Sequence, residues 1–210
     1  MKIKTIIMCI VIVLGFGVIL IASSCRKAET PAALVNTMHR AEAENDRRLA
    51  ALHLFDNHLG EMRWISNPDL SPFIDLAVTA TSDHSPNVRA AALDSIRRFV
   101  NDTTLKSRTG LSPKDMMLMN TNREANRKEA AAILIEHFLV DDRVKILEKH
   151  LAGKADDDLV VQTRHVLHFL LSLDSEGRLK KEMDEELQVD LNTWAHNSQA
   201  VKNPAAQPHE

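Results

Sequence analysis

Four times in this chain a hydroxyl residue precedes proline at the head of a segment whose apolar residues recur every three or four positions: Thr30-Pro31, Ser71-Pro72, Ser85-Pro86 and Ser112-Pro113. A hydroxyl just before a helix accepts one of the backbone N–H groups that the first turn leaves unpaired. Proline fits beside it because its missing donor would be unpaired there anyway. No useful length of chain alternates apolar and polar residues with the period of two that a half-buried strand needs. Gly60, Gly110, Gly153 and Gly177 fall between the periodic runs, where left-handed helix ends would want them. The expected fold is all-α, with short helices and short turns.

The periodicity places these helices. The first two are expected over Leu34 to about Asn45 and Arg47 to Ile65, the second carrying Leu49, Leu52, Phe55, Leu59 and Met62 as one apolar stripe. Ser71 to Thr81 and Pro86 to Val100 form a tight pair, and Arg143 to Leu151 and Asp158 to Leu173 form another. Between the pairs lie a weak segment, Pro113 to about Asn120, and a strong one, Arg123 to Leu139, with Ala130, Ala131, Ile133, Leu134 and Phe138 available for packing. Leu179 to about His196 closes the domain with Met183, Leu187, Leu191 and Trp194 on a narrow stripe. Residues 201–210 have two prolines and no periodicity, and are expected to be a disordered tail.

Within the first tight pair runs Asp83-His84-Ser85-Pro86-Asn87-Val88-Arg89-Ala90-Ala91-Ala92-Leu93. Ser85 is placed to cap, Pro86 to start the helix and Val88 to point inward, while the three alanines let a neighbouring helix approach closely. The segment resembles the inter-helix turn and second helix of a HEAT repeat, in which an aspartate is followed five and six residues later by valine and a basic residue. That resemblance implies that Asp83 and Arg89 help tie successive turns together. A shift of 73 residues maps Asp83 onto Asp156, Val88 onto Val161, Leu93 onto Val166, Ile96 onto Phe169 and Val100 onto Leu173. Two HEAT-length units are about this long, so a middle hairpin is expected near Ser112 to Leu139. The later unit has Gln162 where the family expects a basic residue. The resemblance, which spans about Asp69 to Leu173, implies a short α-solenoid of HEAT-like hairpins.

A different signal sits at the N-terminus. Thr5 to Ser24 is twenty residues without a charge, about 30 Å as a helix, which matches one hydrocarbon core. Lys2 and Lys4 precede it, Ile6 to Ile21 form an apolar stretch, and Ala22, Ser23 and Ser24 are small enough to admit a peptidase. Ile21-Ala22-Ser23-Ser24-Cys25 resembles a bacterial lipobox in a permissive form, with Ala22 where leucine is commonest. That resemblance implies that Cys25 becomes the lipidated first residue of a mature chain. An uncleaved single span and ordinary cleaved secretion are the alternatives, and Arg26 and Lys27 beyond the block balance Lys2 and Lys4, so charge does not orient it. The expected organisation is residues 1–25 as signal peptide or anchor, 26–200 as the helical-repeat domain and 201–210 as the tail. The two cysteines are Cys9 and Cys25, so nothing later can form an intrachain disulfide.

Without Lys2 and Lys4, the 26 basic residues become 24 against 29 acidic ones. This acidic balance argues against nucleic acid and against electrostatic adhesion to anionic lipid. The chain has no Gly-rich phosphate loop, Cys-x-x-Cys, His-Glu-x-x-His or Gly-x-Ser-x-Gly motif. Ten histidines raise a metal alternative centred on His165 and His168, with His150 opposite, yet no carboxylate or third ligand lies at a helical spacing from the pair. Asp156-Asp157-Asp158 is explained by capping and the helix dipole as well as by calcium. The runs Glu42 to Arg48 and Lys180 to Glu186 read as solvated helix faces, and Trp64 and Trp194 as core or cap residues. The expectation is a non-enzymatic, membrane-tethered scaffold or adaptor for a protein partner in the cell envelope, without cofactor or metal. Its alternatives are a small-ligand or metal-binding envelope protein using the histidines, and an enzyme of unrecognised type.

Overall fold

The computed structural model describes residues 29–100 and 110–202, with side chains described as far as residue 197. The chain divides into a unit Met1–Thr30 and a unit Pro31–Glu210, and the helices below belong to the second. Every regular element among the described residues is helical: α1 (Pro31–Arg40), α2 (Glu44–Leu54, continued through a π-helical turn Phe55–Leu59 to Gly60–Met62), α3 (Pro72–Ser82), α4 (Pro86–Val100), α5 (Pro113–Phe138), α6 (Arg143–His150, entered through a 3-10 turn Val140–Asp142), α7 (Asp158–Leu173), α8 (Arg178–Glu182) and α9 (Glu185–Lys202). The fold is all-α. Cys9, Cys25 and the apolar block lie outside the described residues, as do residues 203–210. No helix among the described residues is long and apolar enough to cross a membrane.

Helix α1 packs along α2 and α3 along α4, while α2 lies against α4 and α4 lies most extensively against α7. The core between them includes Leu34, Met38, Leu54, Phe73, Leu93, Ile96, Phe99, Leu134, Phe138, Leu147 and Leu170, all essentially without solvent contact. Each such side chain contributes about 1.5–3 kcal/mol of burial. Phe73 and Phe99 meet edge to face at 4.6 Å, the arrangement their quadrupoles favour. Ser95 Oγ donates to Ala51 O at 2.7 Å and so satisfies a hydroxyl buried where α4 crosses α2.

Several expectations need correction. Helix α5 is one continuous helix where two segments and a middle hairpin were expected. Buried Asn126, whose Nδ2 lies 2.8–3.2 Å from the carbonyls of Met62, Arg63 and Ile65, holds it across the end of α2. In α2 the inward face is Arg47, Ala50, Ala51, Leu54, Phe55 and Leu59, while Leu49, Leu52 and Met62 are half-buried. The π turn accounts for the end of that list, because its extra residue rotates Leu59 inward. Gly60 lies within this helix at φ −60°, and a Cβ there would sit 3.2 Å from Phe55 O. Gly153 is a close approach, with Val160 Cγ2 only 2.8 Å from where its Cβ would be. Gly110 and Gly177 do take the left-handed backbone, at φ 88° and 64°.

Ser112 caps α5 by accepting from Asp115 N at 3.2 Å, but Ser71 is already helical and does not cap. Instead Asp69 Oδ1 accepts from Ser71 N at 3.0 Å. Val161 is half-buried and Val160 buried, so the 73-residue shift is one position out at the start of α7, although Val88, Leu93, Ile96, Val166 and Phe169 are buried as expected. The expected closing helix is two: Met183 is extended, and Asp184 Oδ1 accepts from Glu186 N at 2.8 Å to start α9, which continues to Lys202 into the expected tail.

Candidate functional site

Helices α2 and α4 carry an arginine at the same place in their first turns. Arg47 Nη1 donates to Ala41 O at 3.0 Å and Glu42 O at 2.7 Å. Arg89 Nη1 donates to Asp83 O at 2.7 Å and His84 O at 3.2 Å. Each guanidinium thus clasps the carbonyls of the turn that leads into its own helix. What each does next differs. Arg47 also forks onto Asp83 of the following turn, with Nε to Oδ2 at 2.7 Å and Nη2 to Oδ1 at 3.3 Å, and both side chains are almost fully buried. Burial alone would raise the Asp83 carboxyl. The Arg47 bonds and charge, together with the Ser85 N–H at 2.8 Å, outweigh burial and hold it below the usual carboxylate range.

At the next junction no carboxylate among the described residues answers Arg89. Among those residues its buried Nε has no hydrogen-bond partner, and neither do His150 Nδ1 and Gln162 Oε1. His150 is only 7% exposed, and burial, helped by the Arg89 charge, lowers its pKa to about 4. It is therefore a neutral imidazole at ordinary pH.

The first three turns of α2 and α4 and the first two of α7 line one groove of about 580 Å³. Helix α2 supplies Glu44, Asn45, Arg48 and Leu52, α4 supplies Asn87, Ala90, Ala91 and Asp94, and α7 supplies Asp158 and Gln162. Buried Ala90 and Ala91 make the floor. Much of the rim is already paired: Asn87 Nδ2 donates to Glu44 Oε1 at 2.8 Å, Arg97 forks onto Asp94 at 2.5 and 3.1 Å, and Arg48 Nη2 donates to Asn45 Oδ1 at 3.2 Å. Hydrogen bonds from Asn87 and Ser85 hold the Glu44 carboxyl below its ordinary value, so it stays ionised.

A second exposed surface lies on the first half of α5. Met117 and Leu118 are 73% and 59% exposed, and Asn122, one turn later, donates to Trp64 O beside the exposed Ile65.

Among the histidines, His165 meets Trp194 edge to face at 4.8 Å, His168 is half-buried, and His150 is enclosed as described. No group of three or more His, Cys, Asp or Glu side chains among the described residues is arranged to hold a metal ion. The three aspartates at the start of α7 are exposed: Asp157 Oδ2 accepts from Lys154 N at 3.2 Å, and Asp158 reaches the groove. Trp64 is half-buried with Arg63 lying 5.0 Å from its ring. The run Lys180 to Glu186 is exposed apart from Met183, whereas the run Glu42 to Arg48 hides Arg47. Arg47 was missed because it stands among charges. The signal available was its position after its turn, which Arg89 repeats.

Compared with known proteins, the chain matches no family model, no curated protein and no solved structure.

Proposed function

We propose that this chain is a membrane-tethered adaptor built as a short HEAT-like solenoid, which binds a protein partner in the cell envelope through the groove across α2, α4 and α7. The observation that carries this reading is the groove itself, a concave strip drawn from the N-terminal turns of three helices that pack in succession. Stacked hairpins present such strips because their second helices face one way. The repeated clasp of Arg47 and Arg89 on their turns supports the repeat, and the Arg47–Asp83 pair supports a tie between successive hairpins. The tether rests on the apolar stretch Ile6 to Ile21 and on Cys25 as the lipidated residue.

The experiment is comparative enrichment from detergent-solubilised membranes with the tagged full chain and with Asn87→Trp, which fills the groove from an exposed wall position. A partner recovered with the wild type and lost with Asn87→Trp is the expected result; equal recovery removes the groove from the account. Tethering is tested separately. Cys25→Ser should abolish labelling by a fatty-acid analogue and leave an unprocessed precursor, because a multi-chain lipid anchor holds firmly where one acyl chain does not. A Cys25→Ser chain of unchanged mass in the membrane fraction would instead make the apolar block the anchor.

A further inference from the structure

The groove is open at the N-terminal ends of three helices, and its charge decides what can enter. Each helix end presents about half a unit of positive charge. Against this stand the carboxylates of Glu44, Asp94 and Asp158 in the lining, and of Asp156 and Asp157 in the turn just before α7. Arg48 in the lining, Arg97 behind Asp94 and Arg47 near Glu44 oppose them, but Arg47 is already paired with Asp83, so the mouth remains acidic. Neither Glu44 nor Asp158 makes an ion pair among the described residues. The floor between these acceptors is small and apolar, Ala90 and Ala91, with Leu52 on one wall.

We propose that the groove takes a segment of the partner protein that presents a lysine or arginine, its cation seated between Asp158 and Glu44 and its methylene stem lying on Ala90 and Ala91. Long basic side chains suit such a site, since their stems bury against apolar surface while the charge stays at a polar rim. Arg48 does not compete for Asp158, being held by Asn45 on the opposite wall. Complementary rim charge acts chiefly on encounter rate and partner choice, so binding should weaken as salt rises. This inference rests on the groove being the docking face.

Its test uses the full chain in detergent micelles and two labelled helical alanine–leucine peptides as probes, one with three lysines and one with three glutamates. Fluorescence anisotropy should show the lysine probe binding at least about tenfold more tightly. Asp158→Asn and Glu44→Gln should each weaken it severalfold with unchanged circular dichroism, whereas Glu129→Lys, at an exposed site on α5 outside the groove, should not. Equal or tighter binding of the glutamate probe overturns the proposal, as does an equal loss in Glu129→Lys, which would mean non-specific attraction to net charge. If Asn87→Trp loses a natural partner while the lysine probe shows no preference, the groove stands and its basic occupant falls. If Asn87→Trp recovers the partner in full, the docking face itself has failed.

Discussion

The two junctions along α2, α4 and α7 begin alike and end differently. At the first, Arg47 clasps its own turn and then receives the Asp83 carboxylate from the next, so both charges are buried and paired. At the second, Arg89 makes the same clasp, but its Nε, His150 Nδ1 and Gln162 Oε1 are all left without partners among the described residues. A buried polar group without a partner carries most of its desolvation cost, about 1–3 kcal/mol. The first junction is therefore built to hold α2 and α4 in one register, and the second gives up part of that hold. Between two otherwise similar arginine clasps, the presence of a single carboxylate decides between these outcomes.

Breaking the first junction should have the largest effect. Arg47→Ala strands Asp83 in the interior and should cost about 3–5 kcal/mol in urea unfolding, as expected when one member of a buried ion pair is removed. Removing Asn126 attacks a different polar bond, one that anchors α5. Asn126→Ala leaves the carbonyls of Met62, Arg63 and Ile65 to find other donors and should cost about 1–3 kcal/mol.

The pH dependence separates the junctions. Asp83 titrates below the ordinary carboxylate range when folded, so its contribution is complete above that range and is lost only as the pH falls through the lowered value. His150 is also shifted down, to about 4. The unfolded chain takes up that proton first, so stability should decline as the pH drops from about 6.5 toward 4. Thermal melts of His150→Leu should show a flatter profile across that window. The smallest effect is expected from Gln162→Leu. It removes a buried acceptor that has no donor, so stability should change by less than about 1 kcal/mol or rise slightly.

Much of this architecture was legible in the chain because local chemistry and packing agree. The bounds of α4 and α7 follow from Pro86, Asp158 and apolar periodicity, and the buried faces of α4 and most of α7 follow with them. Some of the differences come from polar residues that the core takes in. Arg47, Arg123 and Asn126 are all at most 4% exposed, and Asn126 makes a single helix of two expected segments. The π turn at Phe55–Leu59 leaves no mark in the periodicity that distinguishes it from a continued α-helix. Of the groove, the alanine floor was visible as a sequence run, but its rim joins residues from three helices far apart in the chain. Asn45, Asp94 and Gln162 could not have been gathered from spacing alone.

The central claim, that the strip across α2, α4 and α7 is where a partner docks, is tested most directly by photo-cross-linking in intact membranes. A photoreactive residue is placed at Asn45, exposed in the groove, or at Val189, exposed on α9 and outside it. One discrete cross-linked species is expected from position 45, lost on adding Asn87→Trp, and none from position 189. The same species from both positions, or from position 45 with the groove filled, would contradict it.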